Sequence, residues 1–346
     1  MIPFIDLFAG CGGMTSGFAA GGAFEPVAAV EWDKHAAATY AANFGEHVFA
    51  GDVADWLDGS TPAAALVIGG PPCQGFSALG KQNPRDPRNY LWRRYLEALE
   101  RVQPAFFVLE NVPQFLRSEQ FRAMSEATRS GGRLSKWELE VYELNAFDYG
   151  VPQNRRRAVV IGRWRGTRPV GPPTPSDQRQ TVATAWSGLT EHVTETQLPA
   201  SSVTLAGNTV PGTFKLPDLH VTRRPSLISE ARFRAIPPEG NRFDLPDHLK
   251  PACWRKHTSG SSDVMGRLRW DRPSVTVRTE FTKPEKGRYL HPSEHRPITL
   301  CEAALLQGFP EDHLWCGNKT AIARQIGNAV PPPLAEALAR SIAGRF

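Results

Sequence analysis

Cysteine is scarce: five residues (Cys11, Cys73, Cys253, Cys301, Cys316) are scattered through 346, with no CxxC pair and no zinc-like Cys/His spacing. A disulfide framework and a metal site are therefore not expected. The setting is read as reduced and cytoplasmic, where a lone cysteine is either core filler or a nucleophile. No run of about 18 apolar residues occurs, so no membrane-spanning helix is expected. The opening Met1-Ile2-Pro3-Phe4-Ile5-Asp6 passes straight into a strand-like pattern, so a signal peptide with its basic start and cleavage site is not expected. The 30 glycines follow no period, which excludes a collagen-like chain, and no internal repeat occurs. Hydrophobic residues make up 41% of the chain, which excludes disorder, and the length suits two modest domains or one large domain with an insertion.

Charge is unevenly spread. Residues 1–150 carry 12 Lys and Arg against 18 Asp and Glu, while residues 151–346 carry 28 against 17. An acidic first part and a basic second part fit a small-molecule site followed by a polyanion-binding surface, the plainer reading being a solvated basic face.

Short apolar runs punctuate the first part: Phe4–Phe8, Val27–Val30, Ala65–Ile68, Ala105–Leu109 and Ala158–Ile161. Helix-compatible stretches such as Met14–Ala20 lie between them. The alternation predicts an α/β fold with a mainly parallel sheet, in which ligands bind outside the carboxyl ends of the strands. Those ends carry a glycine turn, Glu31, Cys73 and Glu110. From about 165 to 270 the chain is rich in Pro, Gly, Ser, Thr and Arg and is read as a smaller, irregular or β-rich module. Helical periodicity returns at Glu302–Phe309 and Pro333–Ile342.

Gly10-Cys11-Gly12-Gly13 is a tight turn that lets a ligand approach the backbone, but Thr15 stands where the dinucleotide fingerprint needs its third glycine. Glu31, 21 residues beyond Gly10, is placed to accept both ribose hydroxyls of a nucleoside. S-adenosylmethionine fits there as well as NAD does. Cys73 lies in the rigid loop Gly70-Pro71-Pro72-Cys73-Gln74-Gly75, which offers a thiol exposure. A lone cysteine is more often buried filler, yet Glu110 at the next strand end would supply a proton donor to the same cleft. In Gln153-Asn154-Arg155-Arg156-Arg157, alternation sends Arg155 and Arg157 to one face and Arg156 to the other.

In this order the motifs resemble those of the DNA (cytosine-5)-methyltransferases over most of the chain. Phe8-Ala9-Gly10-x-Gly12-Gly13 resembles that family's cofactor loop, Glu31-Trp32-Asp33 its adenosine segment, and Gly51-Asp52-Val53 its adenine segment. Pro71-Pro72-Cys73-Gln74 is similar to the catalytic loop, Glu110-Asn111-Val112 to the ENV motif, and Gln153-x-Arg155-x-Arg157 to QxRxR. Glu302–Pro310 and Gln325-Ile326-Gly327-Asn328-Ala329-Val330 are similar to the two last motifs.

The resemblance implies a Rossmann-like methyltransferase domain (1–164), a target-recognition domain (165–270) and a segment (271–346) that returns to complete the catalytic part. It implies methyl transfer from S-adenosylmethionine to C5 of a cytosine flipped out of duplex DNA, leaving S-adenosylhomocysteine. Cys73 would add to C6, Glu110 would protonate N3, and Arg155 and Arg157 would orient the base and steady Glu110. Phe8, Ala9, Gly10, Gly12, Gly13, Glu31, Trp32, Asp52, Val53, Pro72, Leu91, Asn328 and Val330 would hold the cofactor.

On the DNA side it implies Arg224 and Arg255, among other basic residues of the module, and Thr276 at the phosphate beside the flipped base. Leu79 and the polar loop Thr258-Ser259-Gly260-Ser261-Ser262-Asp263, with Ser259 and Ser261, would enter the gap in the stack, the plainer reading of that loop being a linker. A monomer is expected, with or without a separately acting restriction endonuclease. A tRNA cytosine-5 methyltransferase and an inactive DNA-binding regulator are the alternatives. An NAD-dependent dehydrogenase is disfavoured by Thr15.

Overall fold

The apolar runs of the first 164 residues become the strands of one sheet. A computed structural model describes residues 1–72, 91–256 and 259–346. Among these, β1 (Ile2–Leu7), β2 (Phe24–Glu31), β3 (Val48–Ala50), β4 (Leu66–Gly69), β5 (Phe106–Asn111), β6 (Trp137–Asn145) and β7 (Arg156–Trp164) lie in the order β3-β2-β1-β4-β5-β7-β6. Only β7 runs antiparallel to its neighbours, β5 and β6. Helices α1 (Gly13–Ala20), α2 (Lys34–Phe44), α3 (Val53–Asp58), α4 (Leu91–Val102) and α5 (Glu119–Ala127) alternate with the strands.

The sheet is covered on both faces, which is why its central strands read as unbroken apolar runs. Phe4, Leu66, Ile68 and Val108 face one core with Phe18 of α1. Ile5, Leu7, Val67 and Leu109 face another with Tyr95, Leu96 and Leu99 of α4. From β1 the chain moves outward to β2 and β3, then crosses back to β4 and β5. The switch point therefore lies at the carboxyl ends of β1 and β4, where such sheets bind ligands.

Beyond the sheet come α6 (Val182–Ala185), β8 (Ser202–Leu205), β9 (Asn208–Pro211), α7 (Leu227–Ala235) and α8 (Ala252–Lys256). Among the described residues of 165–270, β8 and β9 form the one sheet, so this stretch is irregular more than β-rich. That hairpin packs through Val203, Leu205 and Val210 on the α2 side, around Ala38 and Tyr40. Phe233, Ile236, Leu245, Met265 and Leu290 make a small core of their own.

Three further helices follow: α9 (Leu300–Leu306), α10 (Lys319–Asn328) and α11 (Pro332–Ala343). Val182, Trp186, Phe214 and Leu219 share a core with Leu268, Val277, Leu306, Ile322 and Ile326, so apolar packing runs across residue 270. α11 returns to the sheet and covers α1 with Leu334, Leu338 and Ile342. Among the described residues no helix is long and apolar enough to cross a membrane.

Candidate active site

The glycine turn after β1 is bent into conformations that L-residues rarely adopt: Phe8 has φ 60°, Gly10 57° and Gly12 83°. Backbone strain of this kind gathers where a chain must shape itself to a ligand. A Cβ on Gly10 would meet nothing within 4 Å, so the turn opens into space there. One on Gly13 would stand 2.4 Å from the Val330 carbonyl oxygen, so the returning segment needs that position bare. Ala9 is buried, and its N–H donates to Val30 O at 3.0 Å, fastening the turn to β2.

Glu31 ends β2 facing this turn. Its Oε2 accepts from Gly10 N at 2.8 Å and its Oε1 from Asp33 N at 2.8 Å. Each oxygen keeps a second lone pair for a ribose hydroxyl. Burial pushes the Glu31 carboxyl up to about 6, against the lowering by its two backbone N–H donors. Trp32 is 77% exposed, an indole face open to solvent. Asp52 caps α3, accepting from Ala54 N at 2.8 Å, while Val53 is buried beneath it. Asn328, exposed at the end of α10, and the buried Val330 stand on the returning side. Open space beside Gly10, a fixed carboxylate with spare acceptors and an unstacked ring together fit a nucleoside cofactor.

Below the turn, Thr15 Oγ1 donates to Asp6 Oδ2 at 2.6 Å, and the Tyr40 hydroxyl lies 3.2 Å from Thr15 Oγ1. The residue that breaks the dinucleotide fingerprint thus satisfies a buried acid. Burial pushes the Asp6 carboxyl up to about 7. An acid within an apolar strand signals such a partner, a cue that the sequence reading passed over.

The second cluster lies at the ends of β4, β5 and β7. Val159 of β7 lies opposite Glu110, and Arg157, two residues earlier, shares that face. Its Nε reaches diagonally to Glu110 Oε1 at 2.8 Å. A Cβ on Gly70 would stand 3.3 Å from Glu110 Oε2, so the Gly70-Pro71-Pro72 loop starts beside this carboxylate. Asn111 Nδ2 donates to Pro71 O at 3.0 Å and ties the loop's first residues to β5. Pro72 and Leu91, both half-buried, are the last and first described residues around the span that holds Cys73 and Leu79, which lie outside the described residues.

Arg155 faces the same way as Arg157, and Arg156 points out, as alternation predicts. Arg155, however, is 2% exposed and is committed to backbone. It donates to Val277 O at 3.0 Å, Gly327 O at 2.8 Å and Ala329 O at 3.0 Å. Burial, reinforced by Arg157, lowers its pKa well below the usual guanidinium value. Arg157 meets the acid; Arg155 holds the returning segment against it. Gln153, fully buried, does related work, donating to Leu306 O at 3.0 Å and accepting from Val277 N at 2.9 Å.

Three of the other cysteines are unlike a reactive thiol. Cys11, Cys301 and Cys316 are buried, and burial pushes the first two up to about 12 and the third up to about 11. Cys253 is exposed, in α8.

On the basic side, Arg224 and Arg255 are exposed, Arg255 Nε also donating to Lys250 O at 3.1 Å. Thr276 Oγ1 donates to Asn154 O at 2.7 Å. Ser259 and Ser261 are exposed on a loop braced by two arginines: Arg242 donates to Ser259 O at 2.7 Å and Arg288 to Ser262 O at 2.9 Å.

The profile of the C-5 cytosine-specific DNA methylases matches residues 2–344. The chain is 33% identical to the type II methyltransferase M1.HphI of Haemophilus parahaemolyticus, covering 99% of this chain and 86% of that protein. To the type II methyltransferase M.XorII of Xanthomonas oryzae it is 32% identical, covering 98% and 84%. A crystal structure of a DNA modification methyltransferase encoded within an E. coli prophage superposes with a TM-score of 0.74 at 24% identity, covering 100% of this chain and 99% of that one. The S. pombe Dnmt2 methyltransferase does so at 0.60 and 18%, covering 99% and 98%. The fold is thus that of the Rossmann-like methyltransferases. The chain belongs to the C-5 cytosine-specific DNA methylases and is a DNA (cytosine-5)-methyltransferase.

Proposed function

We propose that this enzyme methylates C5 of a cytosine flipped out of a specific duplex sequence, through a covalent bond between Cys73 and C6. The observation that carries the reading is the Glu110–Arg157 pair beside Gly70, three residues before Cys73 and next to the switch point. The cofactor is S-adenosylmethionine, held by Phe8–Gly13, Glu31 and Trp32, with Asp52, Val53, Pro72, Leu91, Asn328 and Val330 around it. When bound, it supplies an electrophilic methyl group.

The protein's part is to make C5 a nucleophile. The Cys73 thiolate forms a bond to C6, and Glu110 delivers a proton to N3, so that the ring's electrons gather at C5 as an enamine. After methylation the C5 proton passes to water, the Cys73 thiolate departs from C6, and N3 returns its proton to Glu110, which restores the aromatic ring. Arg157 orients Glu110 and the base, and Arg155 acts through the backbone that it holds. A base inside a duplex stack is out of reach of this cleft, which calls for flipping. Arg224, Arg255 and Thr276 meet phosphate, while Leu79 and the Ser259–Ser262 loop enter the vacated space. The type II names of the relatives support a modification role beside a separate restriction endonuclease.

The test is covalent trapping. A duplex with 5-fluorocytosine at the target should hold wild type irreversibly, because fluorine cannot leave as a cation. Cys73→Ala should not be trapped and should lose about 10⁴-fold or more in turnover while still binding S-adenosylmethionine. Trapping at another cysteine, or substantial turnover by Cys73→Ala, would overturn the assignment.

A further inference from the structure

Trp32 stands between two residues whose hydrogen bonds form one continuous line. Gly10 N donates to Glu31 Oε2 and Asp33 N donates to Glu31 Oε1, both at 2.8 Å. Asp33 in turn caps α2, its Oδ1 accepting from His35 N at 2.9 Å and Ala36 N at 3.2 Å. Its other oxygen, Oδ2, receives the Arg324 guanidinium from α10. A helix nearly 300 residues downstream in sequence thus reaches the shelf on which the nucleoside would rest.

The placement of α10 makes this contact consequential. One turn beyond Arg324, Gly327 O accepts from Arg155. Beyond that, Val330 O crosses so close to Gly13 that no side chain fits there. α10 is therefore fixed at the catalytic end and at the glycine turn, and Arg324 is its hold on the Trp32 shelf. The Arg324 and Asp33 side chains are 51% and 24% exposed. A half-solvated pair of this sort contributes little to folding. Its effect falls instead on where Asp33, and with it Glu31 and Trp32, come to rest.

We propose that Arg324 is a positioning residue for the cofactor: by fixing Asp33 it holds the Glu31 carboxylate and the Trp32 ring in the arrangement that receives the nucleoside. The inference rests on the reading that S-adenosylmethionine binds at this turn.

Wild type, Arg324→Gln and Arg324→Lys are titrated calorimetrically with S-adenosylmethionine and with S-adenosylhomocysteine at low and high salt. Unliganded melting and steady-state kinetics on saturating duplex are measured alongside. Arg324→Gln should bind both ligands about five- to tenfold more weakly. Its KM for S-adenosylmethionine should rise with kcat within about twofold and Tm unchanged, and Arg324→Lys should recover most of the loss. Rising salt should bring wild type towards Arg324→Gln, whose own affinity should stay flat.

Only S-adenosylmethionine carries the sulfonium charge. A purely electrostatic role would make Arg324→Gln favour it over S-adenosylhomocysteine, so equal weakening is the mark of positioning. Unchanged affinities in Arg324→Gln would overturn the proposal. So would an affinity loss that disappears on cooling to where an early-melting variant is fully folded, since Arg324 would then be a strut. Failure of wild type to bind either ligand would instead overturn the cofactor reading.

Discussion

In the sheet region, the ladders pair the backbone groups that the strands bury, and the most deeply buried charge-bearing group there is an acid, Asp6, answered by the Thr15 hydroxyl. Between 165 and 299 the chain has little regular structure, and its interior carbonyls find another donor. Arg267, 1% exposed, donates to the carbonyls of Phe233, Ile236, His291 and Glu294. Arg288 gathers those of Glu239, Ser262 and Arg267. Arg296 takes Glu191 O and forks onto the buried Glu302 carboxylate. A guanidinium with five donors in a rigid plane can close several unpaired carbonyls at once, work that a ladder does elsewhere.

The contrast changes what the basic second half means. Some of its arginines, the buried Arg267 above all, are spent on binding the protein to itself. Within residues 165–270, Arg232 donates to Leu249 O at 2.8 Å, Arg234 pairs with Glu230 at 2.8 Å, and Arg242 reaches Ser259 O.

Removing the arginine brace should cause the largest effect. Arg267→Met leaves four carbonyls and the His295 ring without their donor, and should lower the unfolding free energy by about 3–5 kcal/mol, read by urea denaturation. A loss below about 1 kcal/mol would erase the contrast between the regions.

The sheet's buried acid should act more mildly and through pH. Burial raises the Asp6 carboxyl from 3.8 to about 7. A raised group contributes its full stability below the unfolded value and loses it as pH climbs through the folded one, because the native state binds more protons in that window. Glu31, raised to about 6, acts in the same direction. Wild type should therefore lose about 2–4 kcal/mol between pH 4 and 8, and Asp6→Asn, which keeps an acceptor for Thr15, should flatten most of that slope. Equal slopes in chemical denaturation would show the burial cost to be small.

The smallest effect concerns the exposed arginines. Arg224→Gln and Arg255→Gln should each weaken duplex binding about threefold to tenfold near 0.15 M salt and reduce the salt slope by about 1. Arg267→Met, studied where it is folded, should leave that slope intact. Relaxed preference at one base pair, in place of uniform weakening, would mark Arg224 or Arg255 as a guanine reader.

Legibility followed the same division. Phe4–Phe8, Val27–Val30 and Ala105–Leu109 are read as strands because parallel strands buried on both faces are plain apolar runs. β6, Trp-Glu-Leu-Glu-Val-Tyr-Glu-Leu-Asn, escaped that reading: it lies at the sheet's edge, half in solvent, and its glutamates hide it. Glu110 and Glu31 stood out because acids at strand ends are conspicuous. The diagonal from Arg157 to Glu110 needed the antiparallel register of β7, which no local pattern encodes. The interior arginines were illegible for a deeper reason. A residue type that usually sits in water gives no sign, in sequence, that irregular backbone folded elsewhere has enclosed it.

The cover that α11 lays over α1 also has a consequence in time. Leu334 and Leu338, which enclose Met14 and Phe18, leave the ribosome some 300 residues after them. At roughly 5–20 residues per second, that apolar face waits about 15–60 s for its lid. Over that interval the growing chain carries an uncovered apolar face, and its glycine turn lacks the Val330 segment that closes on Gly13. Arrested nascent chains ending before and after α11 should differ in protease protection of α1, and equal protection would show that the lid is dispensable.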